Sequence, residues 1–388
     1  MRYACYNLVI LNPAGIYIHI PFCRSRCSYC DFATGIYNVD AASRYVTAVA
    51  RELDSYAEIS ALQIVDTIYF GGGTPSLLSS DQLQRLLDNV YLRFQVTEDV
   101  EVTLEMNPGT VTDENLTAFQ RVGVNRASFG AQTFNDHELA RLGRSHTAQQ
   151  TRETFRQLRN AGFQNISLDL IAGLPGQTLD QWRRNIDEAL SMRPEHLSFY
   201  LLEVHEGTPL ANHIRTGIQP APDEELSAEM YEVMLDQATV AGYTHYEISN
   251  LCLPGFESRH NTKYWTGAPY FGFGCSAHSY DGMAKRWSNE RDVNAYVARV
   301  EANTSPITER RELNEEDRQS EAVFLGLRMM EGYNVGDYQD RFGVNLIELH
   351  RENLERFSEA GLLELNDDVL KLTRSGALLS NEVFAAFV

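Results

Sequence analysis

Tyr17-Ile18-His19-Ile20-Pro21-Phe22-Cys23-Arg24-Ser25-Arg26-Cys27-Ser28-Tyr29-Cys30-Asp31-Phe32 is the stretch on which the fold turns. An apolar β-branched run ends at a proline, and three cysteines follow in the spacing Cys-x3-Cys-x2-Cys. A cubane [4Fe–4S] cluster has four irons and normally takes four thiolates. Three thiolates on one loop hold three irons and leave the fourth open to a ligand, which a closed structural site does not do. Tyr29, between the last two cysteines, is placed to shield such a cluster from water. The alternatives are zinc, with His19 as the only near candidate for a fourth ligand, and a disulfide. No second cysteine pair follows, and Cys5, Cys252 and Cys275 are scattered, so the pattern reads as metal use in a reducing compartment.

Composition agrees with a soluble globular chain. It has 388 residues, 43% of them hydrophobic, which suffices for a large domain and a smaller one. The net charge of −20 argues against nucleic acid as the main partner. No apolar stretch reaches the roughly 20 residues of a membrane span. Residues 1–14 read as an N-terminal extension, since Leu8-Val9-Ile10-Leu11 lacks the flanks of a signal peptide.

Apolar runs recur at 15–20, 65–70, 100–104, 124–129, 166–171 and 197–202. Helical patterns lie between them at 45–59, 81–94, 113–122, 147–161 and 179–191. This alternation predicts parallel βαβ units. Six units fall short of the eight that close a barrel, so an open, partial (β/α)6 barrel over residues 15–220 is expected, with the chemistry at the C-terminal strand ends. Residues 221–307 extend the barrel. Residues 308–388 form a smaller winged-helix-like α+β domain: helices at 315–330, 335–342 and 346–360, two short strands around Asn366-Asp367-Asp368, and a last helix from Thr373. Its 16 acidic against 7 basic side chains over 312–388 would repel phosphates.

Polar groups cluster at the expected strand ends. Gly71-Gly72-Gly73-Thr74-Pro75 follows the second strand, and glycines there let backbone approach a ligand closely. It lacks the Gly-Lys-[Ser/Thr] ending of a phosphate loop. Glu105, Gln132, Arg144 and Asp169 stand at or just after later strand ends. A carboxylate can accept from ribose hydroxyls, and an arginine can pair with a carboxylate. Taken one at a time, each reads as a cap or a surface charge sooner than as a ligand.

The cysteine loop resembles that of the radical S-adenosylmethionine (SAM) superfamily. Together with Tyr17, Gly71 to Pro75, Asp169-Leu170-Ile171-Ala172-Gly173-Leu174-Pro175 and Gly272-Phe273-Gly274-Cys275-Ser276-Ala277-His278-Ser279, it resembles the branch holding the oxygen-independent coproporphyrinogen III oxidases and the HemW-type haem chaperones. The resemblance implies the partial barrel. It also implies a [4Fe–4S] cluster on Cys23, Cys27 and Cys30, and SAM held by Tyr17, Gly72, Gly73, Thr74, Glu105, Gln132, Arg144 and Asp169.

Two features separate oxidase from chaperone. The oxidases carry a fourth cysteine two residues after the third, where this chain has Phe32. His260-Asn261-Thr262-Lys263-Tyr264-Trp265 resembles the His-Asn-x-x-Tyr-Trp motif of the chaperones. Imidazole is an ordinary haem ligand, so His260 is the expected axial group, with His278 as its rival. As a lone residue, His260 would instead be a loop histidine bonded to backbone. The resemblance implies a cytoplasmic haem chaperone that passes haem to acceptors such as respiratory enzymes, takes electrons from a donor, and has no membrane span. A tetrapyrrole-modifying radical SAM enzyme is the alternative. Homodimer formation, peripheral membrane attachment and SAM cleavage are left open by the sequence.

Overall fold

In the computed structural model, residues 12–56 and 63–388 are described. The N-terminal extension up to residue 11, Cys5 included, and the end of the helix expected at 45–59 lie outside them. A twelve-stranded sheet organises the chain. Its strands in chain order are β1 (Ala14–Ile20), β2 (Ile64–Gly72), β3 (Gln95–Met106), β4 (Arg126–Gln132), β5 (Ile166–Ala172), β6 (His196–Leu201), β7 (Thr244–Glu247), β8 (Asn250–Cys252), β9 (Tyr270–Phe273), β10 (His278–Tyr280), β11 (Lys285–Asn289) and β12 (Ile307–Glu312). Strands β1 to β6 lie side by side in chain order and all parallel. This is the expected six-unit open barrel, with edges at β12 and β7 rather than closure.

The strands of this sheet after β6 were not foreseen. β9 pairs with β1 in parallel, and β10, β11 and β12 then continue antiparallel. Only four residues long and interrupted by Gly272, β9 carries little strand signal. The glycine is needed, because a Cβ there would stand 2.3 Å from the His278 carbonyl oxygen.

Helices cover the outer face. Side-chain caps fix several starts: Asn38 accepts from the Asp40 and Ala41 amides, so the first helix spans Val39–Ser55 and begins six residues before the apolar periodicity suggests. Capping boxes at Ser79, Thr112, Thr147 and Thr178 start helices Ser80–Arg93, Asp113–Arg121, Ala148–Ala161 and Leu179–Met192. Outward residues Ile16, Ile18, Phe70, Leu104, Phe129 and Leu168 form the buried core beneath them. Alternation then turns Tyr17, Tyr69, Glu105 and Asp169 to the inner face.

The C-terminal region carries helices Glu315–Gly326, Val335–Phe342, Leu346–Leu349, Arg351–Glu359, Arg374–Leu378 and Ser380–Phe384 around a three-stranded sheet. Asp367 and Asp368 both take positive φ and turn the hairpin between Leu363–Asn366 and Val369–Leu372. The expected helix at 315–330 stops at Gly326, whose Cβ would meet the Tyr333 ring at 2.4 Å. Tyr333–Asn334 forms a third strand that sequence reading missed.

Candidate functional site

The cysteine loop leaves β1 at Pro21 and is stitched to the mouth of the barrel. Phe22–Cys23 pairs in parallel with Gly35–Ile36, closing the loop on itself. Its far side is held by Ser28 N–H donating to the Leu142 carbonyl (2.9 Å) and by Leu210 N–H donating to the Ser28 carbonyl (2.8 Å). Cys23, Cys27 and Cys30 are free and half-buried. Thr74 Oγ1 donates to Cys23 Sγ (3.6 Å), and Arg144 Nη1 to Cys27 Sγ (3.5 Å). Burial pushes the Cys23 thiol up to about 11. Among the described residues, no three His, Cys, Asp or Glu side chains converge on one metal point. A cubane makes no such demand, because each thiolate binds its own iron, and hydrogen bonds to sulfur are a usual part of its environment. The donor set therefore fits a [4Fe–4S] cluster. Tyr29 packs beside Leu142, Ile171 and Leu174.

The glycine run is a place of backbone on backbone. Gly73 N–H donates to the Ile20 carbonyl (2.8 Å) and Thr74 N–H to the Phe22 carbonyl (2.7 Å). Gly72 has φ +110°, and a Cβ on it would lie 2.4 Å from the His19 ring. That ring is buried and keeps itself neutral: desolvation lowers its pKa to about 4. Its Nε2 faces the Ala33 carbonyl at 2.9 Å and its Nδ1 the Tyr17 hydroxyl at 3.0 Å. The proton belongs on Nε2, since a carbonyl can only accept. His19 thus ties β1 to the far arm of the cysteine loop.

Register brings the remaining strand-end groups to one lumen. Glu105 is level with Ser128, Gly130 with Asp169, and Asp169 with Ser198. Glu105 accepts from Tyr69 OH (2.7 Å) and from the Gly72 amide (2.9 Å). Burial raises Glu105 to about 7 and Asp169 to about 6; hydrogen bonds from Ser198 and Ser167 and the Arg126 charge oppose the rise at Asp169. Arg144 Nη2 donates to the Gly130 carbonyl (2.8 Å) and to Asn107 Oδ1 (2.7 Å). Gln132 takes a left-handed φ of +64°, rare for a side-chain-bearing residue, at an irregularity in the β4–β5 ladder. All eight residues expected around SAM therefore share the barrel mouth.

Three organising residues escaped sequence reading. Asn107 bridges Arg144 to Thr74, donating to Thr74 Oγ1 at 2.6 Å. His19 is the second. Arg126 is the third, fully buried in the lumen as the cation near both carboxyl groups. Asn107 lies directly before Pro108, a position that favours extended backbone, and was the most legible of the three.

His260 lies beneath this mouth, its ring centre 6.4 Å from that of Tyr17. It lies on a helix, Arg259–Thr266, that plugs the opposite end of the barrel. The ring is 1% exposed. Its Nδ1 faces Thr67 Oγ1 and its Nε2 faces Tyr264 OH, each at 2.9 Å, and it stacks on Tyr69. Lys263 donates to the Pro13 carbonyl (2.7 Å) and pairs with Asp66 (2.6 Å). From Thr67 to Gly72 is five strand residues, roughly 16 Å. The expected iron bond at His260 has no free ring nitrogen in this arrangement. Trp265 faces the C-terminal region instead, with the Arg328 guanidinium 4.0 Å from its ring centre. His278 is exposed on β10, in register with Ser288 of β11. Cys252 and Cys275 are buried, with thiols pushed up to about 12 by desolvation, and Cys275 accepts from Tyr45 OH (3.5 Å).

Comparison with known proteins agrees with this geometry. Residues 17–189 match the model of the radical SAM superfamily, and residues 313–379 that of the HemN C-terminal domain. The chain is 38% identical over 373 residues to the Heme chaperone HemW of Bacillus subtilis (strain 168), covering 96% of this chain and 98% of the relative. The Heme chaperone HemW of Escherichia coli (strain K12) is 32% identical over 388 residues, covering 98% of this chain and 100% of the relative. The structure of coproporphyrinogen III oxidase (HemN) from Escherichia coli, a radical SAM enzyme, superposes with a TM-score of 0.85 at 22% identity, covering 97% of this chain and 90% of that one. That likeness speaks for the fold. No helix among the described residues is long and apolar enough to cross a membrane.

Proposed function

The chain belongs to the radical SAM superfamily and, within it, to the HemW family, and from that premise we propose that it is a haem chaperone holding a [4Fe–4S] cluster, SAM and haem. Cys23, Cys27 and Cys30 hold the cluster. When bound and reduced, it supplies one electron to the sulfonium of SAM. The chain's own residues position that ligand. Gly72, Gly73 and Thr74 offer a backbone ledge, Arg144 pairs with a carboxylate, and Tyr17, Glu105, Gln132 and Asp169 line the lumen for the remainder. Glu105 holds the Gly72 amide and so shapes the ledge itself.

Haem is the cargo. The full-length identity to proteins named Heme chaperone HemW is the observation that supports this. Of the two candidate imidazoles, His278 suits iron in this conformation, being exposed, whereas His260 would have to surrender Thr67 or Tyr264. In this reading the protein works in the cytoplasm, receives electrons from a donor protein and passes haem to acceptors such as respiratory enzymes.

The alternative activity is directly testable. Anaerobically reconstituted, reduced protein is incubated with SAM and coproporphyrinogen III. A chaperone leaves the porphyrinogen unchanged, and robust formation of protoporphyrinogen IX would replace the chaperone with an oxidase.

A further inference from the structure

A cleft of about 400 Å³ opens where the Arg259–Thr266 helix and strands β10 and β11 meet the C-terminal region. Trp265 lines one side, beside Arg286 laid over the buried Tyr280 ring (4.4 Å), and Tyr333 and Met329 line the other. Three guanidinium groups enter: Arg286, Arg318 and Arg341. Arg286 is engaged, donating to Tyr270 OH (2.9 Å) and pairing with Glu321 (2.7 Å). The other two lie over the Phe342 ring, at 5.8 and 5.0 Å, and neither pairs with a carboxylate among the described residues. Arg341 also extends towards Gly267, at the end of the helix that carries Trp265.

Buried donors in the cleft have no acceptor. Trp265 Nε1, Arg286 Nε and Arg318 Nε are all without a partner. Buried N–H groups are normally satisfied, by protein, ordered water or a ligand. Glu331 and Asp337 stand at the rim as well. A simple anion would therefore gain little net attraction, whereas a flat apolar ligand with carboxylates on one edge matches Trp265 and the two guanidiniums that no carboxylate neutralises, Arg341 being bonded only to the Tyr333 hydroxyl.

We propose that this cleft takes the carboxylate edge of the haem, with Arg318 and Arg341 on the two propionates and Trp265 against the ring. The proposal rests on the haem reading above. It gives the His-Asn-x-x-Tyr-Trp helix a division of labour: His260 and Lys263 anchor it to the barrel floor, and Trp265 presents to the ligand. It also makes the C-terminal region a wall of the binding site rather than a packing module alone. Tyr280 and His278 are two residues apart on one face of β10, so a ring that leaves the cleft along that face runs towards the exposed imidazole.

The test is haem titration of the full-length reconstituted protein, with Arg318→Gln/Arg341→Gln as the variant and haem dimethyl ester as the second ligand. SAM binding and iron content serve as controls for folding. Haem is expected to bind the variant at least tenfold more weakly than wild type. The ester is expected to bind wild type about as weakly, with no further loss in the variant, because it has no carboxylates to lose. Equal haem affinity of variant and wild type would remove the cleft while leaving the chaperone reading intact, as would equal affinity of wild type for haem and its ester. Failure of wild type to bind haem at all would overturn both.

Discussion

At the residue scale, much of the site is held by groups that need not touch a ligand. Asn107 is the clearest case, since it donates to Thr74 and accepts from Arg144, two residues that also donate to cysteine sulfurs. Asn107→Ala leaves both without their orienting partner. A loss of about 1–2 kcal/mol is expected, seen as a SAM affinity on the order of tenfold weaker by equilibrium binding, with the iron content preserved. Glu52 shows the same principle away from the mouth. It is buried and accepts from the Gly274 amide (2.9 Å), Asn289 (2.6 Å) and Tyr296 OH (2.6 Å), so it fixes the turn between β9 and β10. Burial raises its pKa to about 7. The folded state then binds that proton more tightly than the unfolded chain. The contribution to stability is full below the ordinary carboxyl range and is lost as pH rises through about 7. Glu52→Gln is expected to make the fall of Tm between about pH 5 and about pH 8 shallower. An unchanged slope would remove Glu52 as its source. The candidate ligands were legible because their residue types sit at strand ends. Asn107, His19 and Arg126 were not, because what marks them is which neighbours they bridge.

At the scale of elements, the strand ends and the helix caps follow from local chemistry, and the glycine run shows why. Gly72 combines positive φ with a Cβ position 2.4 Å from the His19 ring. Gly72→Ala is expected to cost on the order of 1–3 kcal/mol and to lower iron incorporation, measured by thermal melts and iron assay. The His260 helix was the element most altered by the fold. Read as a loop bearing an iron ligand, it is a helical plug whose histidine bonds Tyr264 four residues on, a pairing that helical spacing allows. Its other partner, Thr67, comes from a distant strand, and no sequence signal announces that. His260→Ala leaves two hydroxyls unpaired and a void beneath β1. A loss of roughly 2–4 kcal/mol in stability is expected, with the Soret band of the haem complex unmoved. His278→Ala is expected to do the reverse, shifting the Soret band with little change in Tm. A Soret shift in His260→Ala alone would return the ligand to His260.

At the scale of the whole molecule, six consecutive parallel strands place the cysteine loop and the groups proposed for SAM at one end of the barrel, and the plug helix closes the other. The six strands and the groups at their ends were legible, because strand–helix alternation and strand-end chemistry are properties of short segments; the plug was not. The extension through β9 to β12 and the junction with the C-terminal region were not, because both depend on contacts between segments far apart in sequence. That junction is where the fold joins the radical SAM core to the surface proposed for haem. The most direct measurement of the central claim is a haem titration of the anaerobically reconstituted wild-type protein, followed by its Soret absorbance. A saturable complex at a defined stoichiometry, formed with the cluster intact, is expected. Absorbance that rises linearly, as for free haem in buffer, would contradict a haem chaperone.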